Sequence, residues 1–90
     1  MNKSVEQISL LIDLLMDFDA NENQEQDKQC ELHNLILDMI NNLNIYGDVR
    51  DIILNLNKEI TIDKCFGTRI NQDVKFGIIA ANLCDYLPTE

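Results

Sequence analysis

The sequence predicts an all-α domain, a small bundle of about four helices, and three observations carry that expectation. Apolar residues recur at helical spacing along most of the 90-residue chain. Twelve Leu and twelve Ile are enough for one modest core without cross-links. No stretch alternates with period two for long enough to make a convincing strand, and Glu59-Ile60-Thr61-Ile62-Asp63 is the only candidate. Internal repeats and low-complexity tracts are absent, so residues 1–90 are expected to form a single helical domain.

The first helix is expected from about Ser4 to Phe18. Val5, Ile8, Leu11, Ile12 and Leu15 set its apolar stripe, which Leu10, Leu14 and Phe18 widen. Ser4 is the expected N-cap, and Gln7 completes a Ser-x-x-Gln capping box. From Ala20 to Gln29 nothing apolar repeats, which predicts an exposed joint. Leu32, Leu35, Ile36, Met39, Ile40 and Leu43 then define a second amphipathic helix, ending near Asn44 before Gly47, a residue suited to a helix stop. Asp48 is placed to cap a third helix with Val49, Ile52, Ile53 and Leu56 on its core stripe, running to about Lys58. Thr61 to Gly67 is expected to be a connector. Thr68 or Asn71 opens the last helix, with Ile70, Val74, Ile78 and Ala81 on one edge and Phe76, Ile79, Leu83 and Leu87 on the other. Pro88 stops it.

The charge of the chain is concentrated. Between Asp13 and Asp38 stand eight carboxylates against one base, Lys28, a net of −7 out of −9 for the molecule. A surface of this sign repels phosphates and anionic lipid, so nucleic acid and membranes are excluded as direct partners and a basic protein is favoured. The N-terminal residues lack the order of a secretory signal, and Asp13 interrupts the longest apolar stretch well short of a membrane span, which predicts a cytoplasmic protein. Cys30, Cys65 and Cys84 are odd in number and show no C-x-x-C pairing. That is the pattern of free intracellular thiols packed as small hydrophobes.

Residue patterns with chemical meaning are few. Asp17-x-Asp19-x-Asn21 has the opening spacing of an EF-hand loop, but Glu22 stands where that loop needs Gly and Lys28 where it needs a bidentate Glu. Cys30 and His33 share a helix face, yet a structural zinc site uses two close ligand pairs and only this one is present. The same histidine, without a Gly-rich turn or a second His, does not make a cysteine nucleophile. An acyl carrier protein of this size and acidity needs a serine at the start of its second helix, and the only serines are Ser4 and Ser9. No catalytic residue, metal or cofactor is therefore expected, and the chain is not expected to be an enzyme.

The acidic region remains. Glu6, Asp13 and Asp17 fall within one stripe of the first helix, and Glu31, Asn34 and Asp38 within one stripe of the second, with Glu22, Glu25 and Asp27 between them. An antiparallel hairpin gathers these groups around one tip and flank. Like charges there repel by a few tenths of a kcal/mol per neighbouring pair, which suggests a use outside folding. A face that merely keeps the chain solvated is the alternative. Asp17, Asp19, Glu22, Glu25, Asp27 and Glu31 are the candidate partner-binding residues. Tyr46, Tyr86 and Arg50 are further candidate anchors, although the tyrosines are expected first as core residues.

At the C-terminal end, Gly77-Ile78-Ile79-Ala80-Ala81-Asn82-Leu83-Cys84-Asp85-Tyr86-Leu87, preceded by the aromatic Phe76, resembles a stretch of small bacterial immunity proteins of the Maf type. The likeness covers the glycine, the apolar run and the Leu-Cys-Asp-x-Leu spacing. In that family further helix follows, where this sequence has Pro88-Thr89-Glu90. The resemblance implies a cytoplasmic antidote for a cognate toxin, often a nuclease, of a contact-dependent growth inhibition or polymorphic-toxin system. The charge argument points the same way, because an active site that holds phosphates is electropositive and an acidic helical surface can occupy it. Two other functions suit the sequence. One is a phage- or plasmid-encoded DNA mimic that inhibits a host nucleic-acid enzyme. The other is a structural adaptor subunit that docks by an apolar helix face.

Overall fold

The computed structural model describes residues 3–20, 25–41, 47–63, 67–70 and 74–87. Its elements follow the order α1 (Lys3–Ala20), α2 (Gln26–Asn41), α3 (Gly47–Lys58), β1 (Ile60–Asp63), β2 (Gly67–Ile70) and α4 (Phe76–Cys84). The four helices carry the core, so the fold is the small all-α bundle the periodicity predicts, with one short β-hairpin attached.

Helix α1 is central. Ile8, Leu11, Ile12, Leu15 and Phe18 are all buried, and they meet Leu32, Ile36 and Met39 of α2, Val49, Ile53 and Leu56 of α3, and Ala80 and Leu83 of α4 in one cluster. Burying each such side chain contributes roughly 1.5–3 kcal/mol, which is why the apolar stripe and not intrinsic propensity decides where these helices stand. Helix α1 packs against both α2 and α4. The last turn of α1 meets the first turn of α4, where the rings of Phe18 and Phe76 stack with centroids 5.4 Å apart. Extensive packing from that starting point requires α4 to run back along α1, antiparallel to it. Asp17 of α1 pairs with Lys28 of α2, so α1 and α2 form the expected antiparallel hairpin.

Several boundaries differ from expectation. Helix α1 already includes Lys3 and Ser4, so Ser4 does not precede the helix as its N-cap. Gln7, expected in a capping box, is buried, and among the described residues no buried side-chain polar atom lacks a hydrogen-bond partner. Helix α2 begins at Gln26, so Gln26 to Gln29 belong to the helix and not to the joint. The backbone carbonyl of Glu25 accepts the N–H groups of Lys28 and Gln29 at 3.1 and 3.2 Å, which starts the helix without any apolar signal. Helix α3 begins at Gly47, which therefore opens a helix and does not stop one, with Asp48 inside its first turn. Leu43, Asn44 and Tyr46 lie outside the described residues.

The largest correction concerns residues 60–75. The expected connector and the expected start of the last helix at Thr68 are replaced by an antiparallel pair, with Ile60 opposite Ile70, Thr61 opposite Arg69, Ile62 opposite Thr68 and Asp63 opposite Gly67, while Asn71 lies outside the described residues. Its β-branched residues favour an extended backbone, but each strand is only four residues long, too short for alternation to register as a period. The hairpin holds because Ile60 and Ile70 pack against the helical core, β1 beside α3 and β2 beside α2. Helix α4 then starts only at Phe76. It ends at Cys84, and the chain tightens through Asp85, Tyr86 and Leu87, whose N–H groups each bond the carbonyl three residues back. This tightening befits a chain approaching a proline, which disfavours helix in the residue before it. Pro88 itself lies outside the described residues.

Candidate functional site

The candidate site grows from the joint between α1 and α2. Asp17 and Asp19 stand in the last turn of α1, where a helix presents its negative end and where this helix has no basic residue. Two features offset that conflict. The first is Lys28, whose ammonium lies 3.8 Å from Asp17 Oδ2 in a solvent-exposed pair. The second is the start of α4. A Cβ placed on Gly77 would lie 3.0 Å from Asp19 Oδ2 and 3.2 Å from its Oδ1 and Cγ, so the Asp19 carboxylate rests against the positive first turn of α4. Glycine at position 77 leaves the room for that approach.

Helix α2 contributes carboxylates that suit its own dipole. Glu25 immediately precedes it and Asp27 lies in its first turn, both exposed. Glu31 follows one turn later, also exposed. The structure therefore brings Asp17, Asp19, Glu25 and Asp27 to one tip and sets Glu31 on the adjoining face. Glu22 lies outside the described residues.

From the tip the acidic surface runs on along the α1–α2 seam, which the Asp17–Lys28 pair marks. On α1, Glu6 and Asp13 share the Asp17 side of the helix; on α2, Glu31 and Asp38 lie on the Lys28 side. All four are exposed. Leu10 stands four residues from Glu6, three from Asp13 and seven from Asp17. It was expected to widen the core stripe, yet it is 55% exposed, because the buried face of α1 is centred on Leu11 and Leu15 and turns Leu10 outward. An exposed leucine ringed by carboxylates is the part of this site that sequence periodicity missed. Its signal is the i−4, i+3, i+7 set of acids around it.

The other candidates separate. Tyr86, expected in the core, is 41% exposed beyond the end of α4, and Arg50 is exposed on α3. Tyr46 lies outside the described residues. Ile78 and Ala81, expected on a core edge, are exposed, and the buried side of α4 is built from Ala80 and Leu83. Asp17 and Asp19 are both helical, so their side chains project about 200° apart and do not converge as calcium-loop ligands do. Cys30 is half-buried, and Gln26 Nε2 donates to its sulfur at 3.4 Å. Cys84 is free and exposed, against the expectation of a packed thiol. His33 is half-buried, and Cys65 lies outside the described residues. Among the described residues no group of three or more His, Cys, Asp or Glu is placed to hold a metal ion. No helix among them is long and apolar enough to cross a membrane.

What this arrangement can do is bind. It offers fixed negative charge on two rigid helices, an apolar contact at the centre of one stripe, and a single paired lysine within it. Compared with models of protein families, with curated proteins and with solved structures, the chain matches none.

Proposed function

We propose that the chain is a stoichiometric protein inhibitor, an immunity protein that acts in the cytoplasm by binding and neutralising a basic toxin, the toxin being a nuclease. The observation that carries this reading is the acidic face of the α1–α2 hairpin, with Asp17, Asp19, Glu25 and Asp27 at its tip and Leu10 exposed among Glu6, Asp13 and Asp17. Carboxylates on helices are fixed anions that need no reorganisation to meet the lysines and arginines of a phosphate-binding cleft. Complementary fields of this kind raise association rates by about 10–10³-fold, and an antidote must reach its toxin before the toxin acts. An exposed apolar side chain ringed by charge, covered only when the partner docks, adds the slow dissociation that electrostatics alone does not supply. The resemblance of Gly77 to Leu87 to Maf-type immunity proteins supports the same reading. No catalytic step, metal or cofactor is assigned to the chain.

The test is capture on the immobilised protein from its native host at low salt, followed by a nuclease assay on the retained basic protein. The expected result is a nuclease silenced at a one-to-one ratio. Its binding should weaken, and lose its salt dependence, when Asp17, Asp19, Glu22, Glu25, Asp27 and Glu31 are neutralised to Asn or Gln. Capture of a non-enzymatic assembly whose binding survives neutralisation would instead establish the adaptor reading, which the exposed Ile78 and Tyr86 of the α4 region favour.

A further inference from the structure

Residues of α3 and of the segment from Val74 to Asn82 line an open groove of about 380 Å³. That is within the size range of small-ligand pockets, about 300–1,000 Å³. Its floor is apolar, made by Ile52 and Leu56 of α3 and by Val74 and Ile79 across from them. Its rim is polar, with an Asn on each wall, Asn55 from α3 and Asn82 from α4, and with Glu59 and Lys75 completing it. Neither sequence motif nor periodicity joins these residues, which come from two separate segments of the chain.

The charges of the rim distinguish this groove from the rest of the surface. The molecule carries −9, yet the described residues that line the groove include one carboxylate and one ammonium. Lys75 is exposed, and among the described residues its ammonium has no ion-pair partner. A basic segment that suits the acidic tip has no use for Lys75. An apolar segment of ordinary peptide satisfies the floor and the two carboxamides but leaves the lysine unused. The unit that matches all three features within one residue is the end of a polypeptide: a carboxylate for Lys75, a backbone amide for the Asn55 and Asn82 side chains, and an apolar side chain for the floor.

We propose that the α3–α4 groove captures the carboxyl terminus of a partner polypeptide that ends in an apolar residue. This proposal does not rest on the inhibitor reading, because it uses the cation of the groove and not the carboxylates of the tip.

The full chain, labelled for amide NMR, would be titrated with the acetylated tripeptide Ala-Ala-Leu bearing a free carboxylate and with its amidated twin. The free acid is expected to shift resonances within residues 52–59 and 74–82 and to bind about two- to fivefold more tightly than the amide, the effect of one exposed ion pair. Lys75→Gln, at an exposed position, is expected to bring the free acid down to the affinity of the amide and to leave the amide unchanged. Equal affinity of the two peptides for the unaltered chain would overturn the proposal. So would shifts centred on the α1–α2 seam, an equal loss for both peptides in Lys75→Gln, or no shifts at millimolar peptide.

Discussion

Helices α1 and α2 hold their carboxylates outward over a buried apolar interior, whereas α3 and α4 line an open groove whose described residues carry one charge of each sign. Both pairs contribute to the same core cluster. They differ in what lies beyond that cluster. Along the seam, like charges are tolerated side by side although they oppose folding. In the groove, one cation and one anion share a rim with two carboxamides. The comparison teaches that stability and surface charge are set separately here: the interior fixes where the helices stand, and the outward residues are free to be arranged for binding.

The sharpest way to break this separation is to compare one inward and one outward leucine of α1. Leu15 is fully buried, and Leu15→Ala should destabilise the protein by about 2–5 kcal/mol, a large part of the stability of a small domain. Leu10→Ala, at 55% exposure, should change it by no more than about 0.5 kcal/mol while weakening partner binding. Urea unfolding followed by circular dichroism reads both values. A large loss of stability in Leu10→Ala would mean that the acidic face is part of the core and not a binding surface laid over it.

A smaller effect is expected from the charges. Replacing Asp17, Asp19, Glu22, Glu25, Asp27 and Glu31 by Asn or Gln removes repulsions worth a few tenths of a kcal/mol each, but also the Asp17–Lys28 pair and the carboxylates placed at the N-terminal turns of α2 and α4, so the two offset and stability at low salt should change by less than about 1 kcal/mol. Added salt should shrink the difference further. If the variant loses more than about 2 kcal/mol, the carboxylates serve folding, and the contrast between seam and groove loses its meaning.

Gly77 tests where the two regions touch. Alanine at this position, in the first turn of α4, gains at most about 1 kcal/mol of helix propensity but brings a Cβ to 3.0 Å from the Asp19 carboxylate. Asp19 is exposed and its side chain can turn aside, so Gly77→Ala should be close to neutral. The same substitution in an Asp19→Ala background should recover most of the gain, measured as a shift in melting temperature. The smallest effect belongs to Asp17 and Lys28. A double-mutant cycle on this exposed pair should give no more than about 0.5 kcal/mol, falling towards zero in high salt.

The legibility of the chain followed the range of the interactions involved. Helix α1 was readable because Ile8, Leu11, Ile12 and Leu15 repeat within a single element, and the tip was readable because Asp17, Asp19, Glu25 and Asp27 are near neighbours in sequence. The outward turn of Leu10 was not, since a stripe of eight apolar residues does not say which edge its neighbours will cover. The hairpin was missed for a related reason. Ile60 and Ile70 are held together by strand pairing and by packing on helices far away in sequence, and four-residue strands leave no period to detect.

What the sequence determined by itself was the helical class, the apolar interior and the concentration of charge between Asp13 and Asp38, all consequences of local composition and spacing. Only the tertiary structure decided that Asp19 rests against Gly77, that Leu10 faces solvent among acids, and that Asn55, Glu59, Lys75 and Asn82 share one groove. Each of these depends on how two helices approach one another, and that approach is set by the fit of side chains across the core, a quantity no single segment contains.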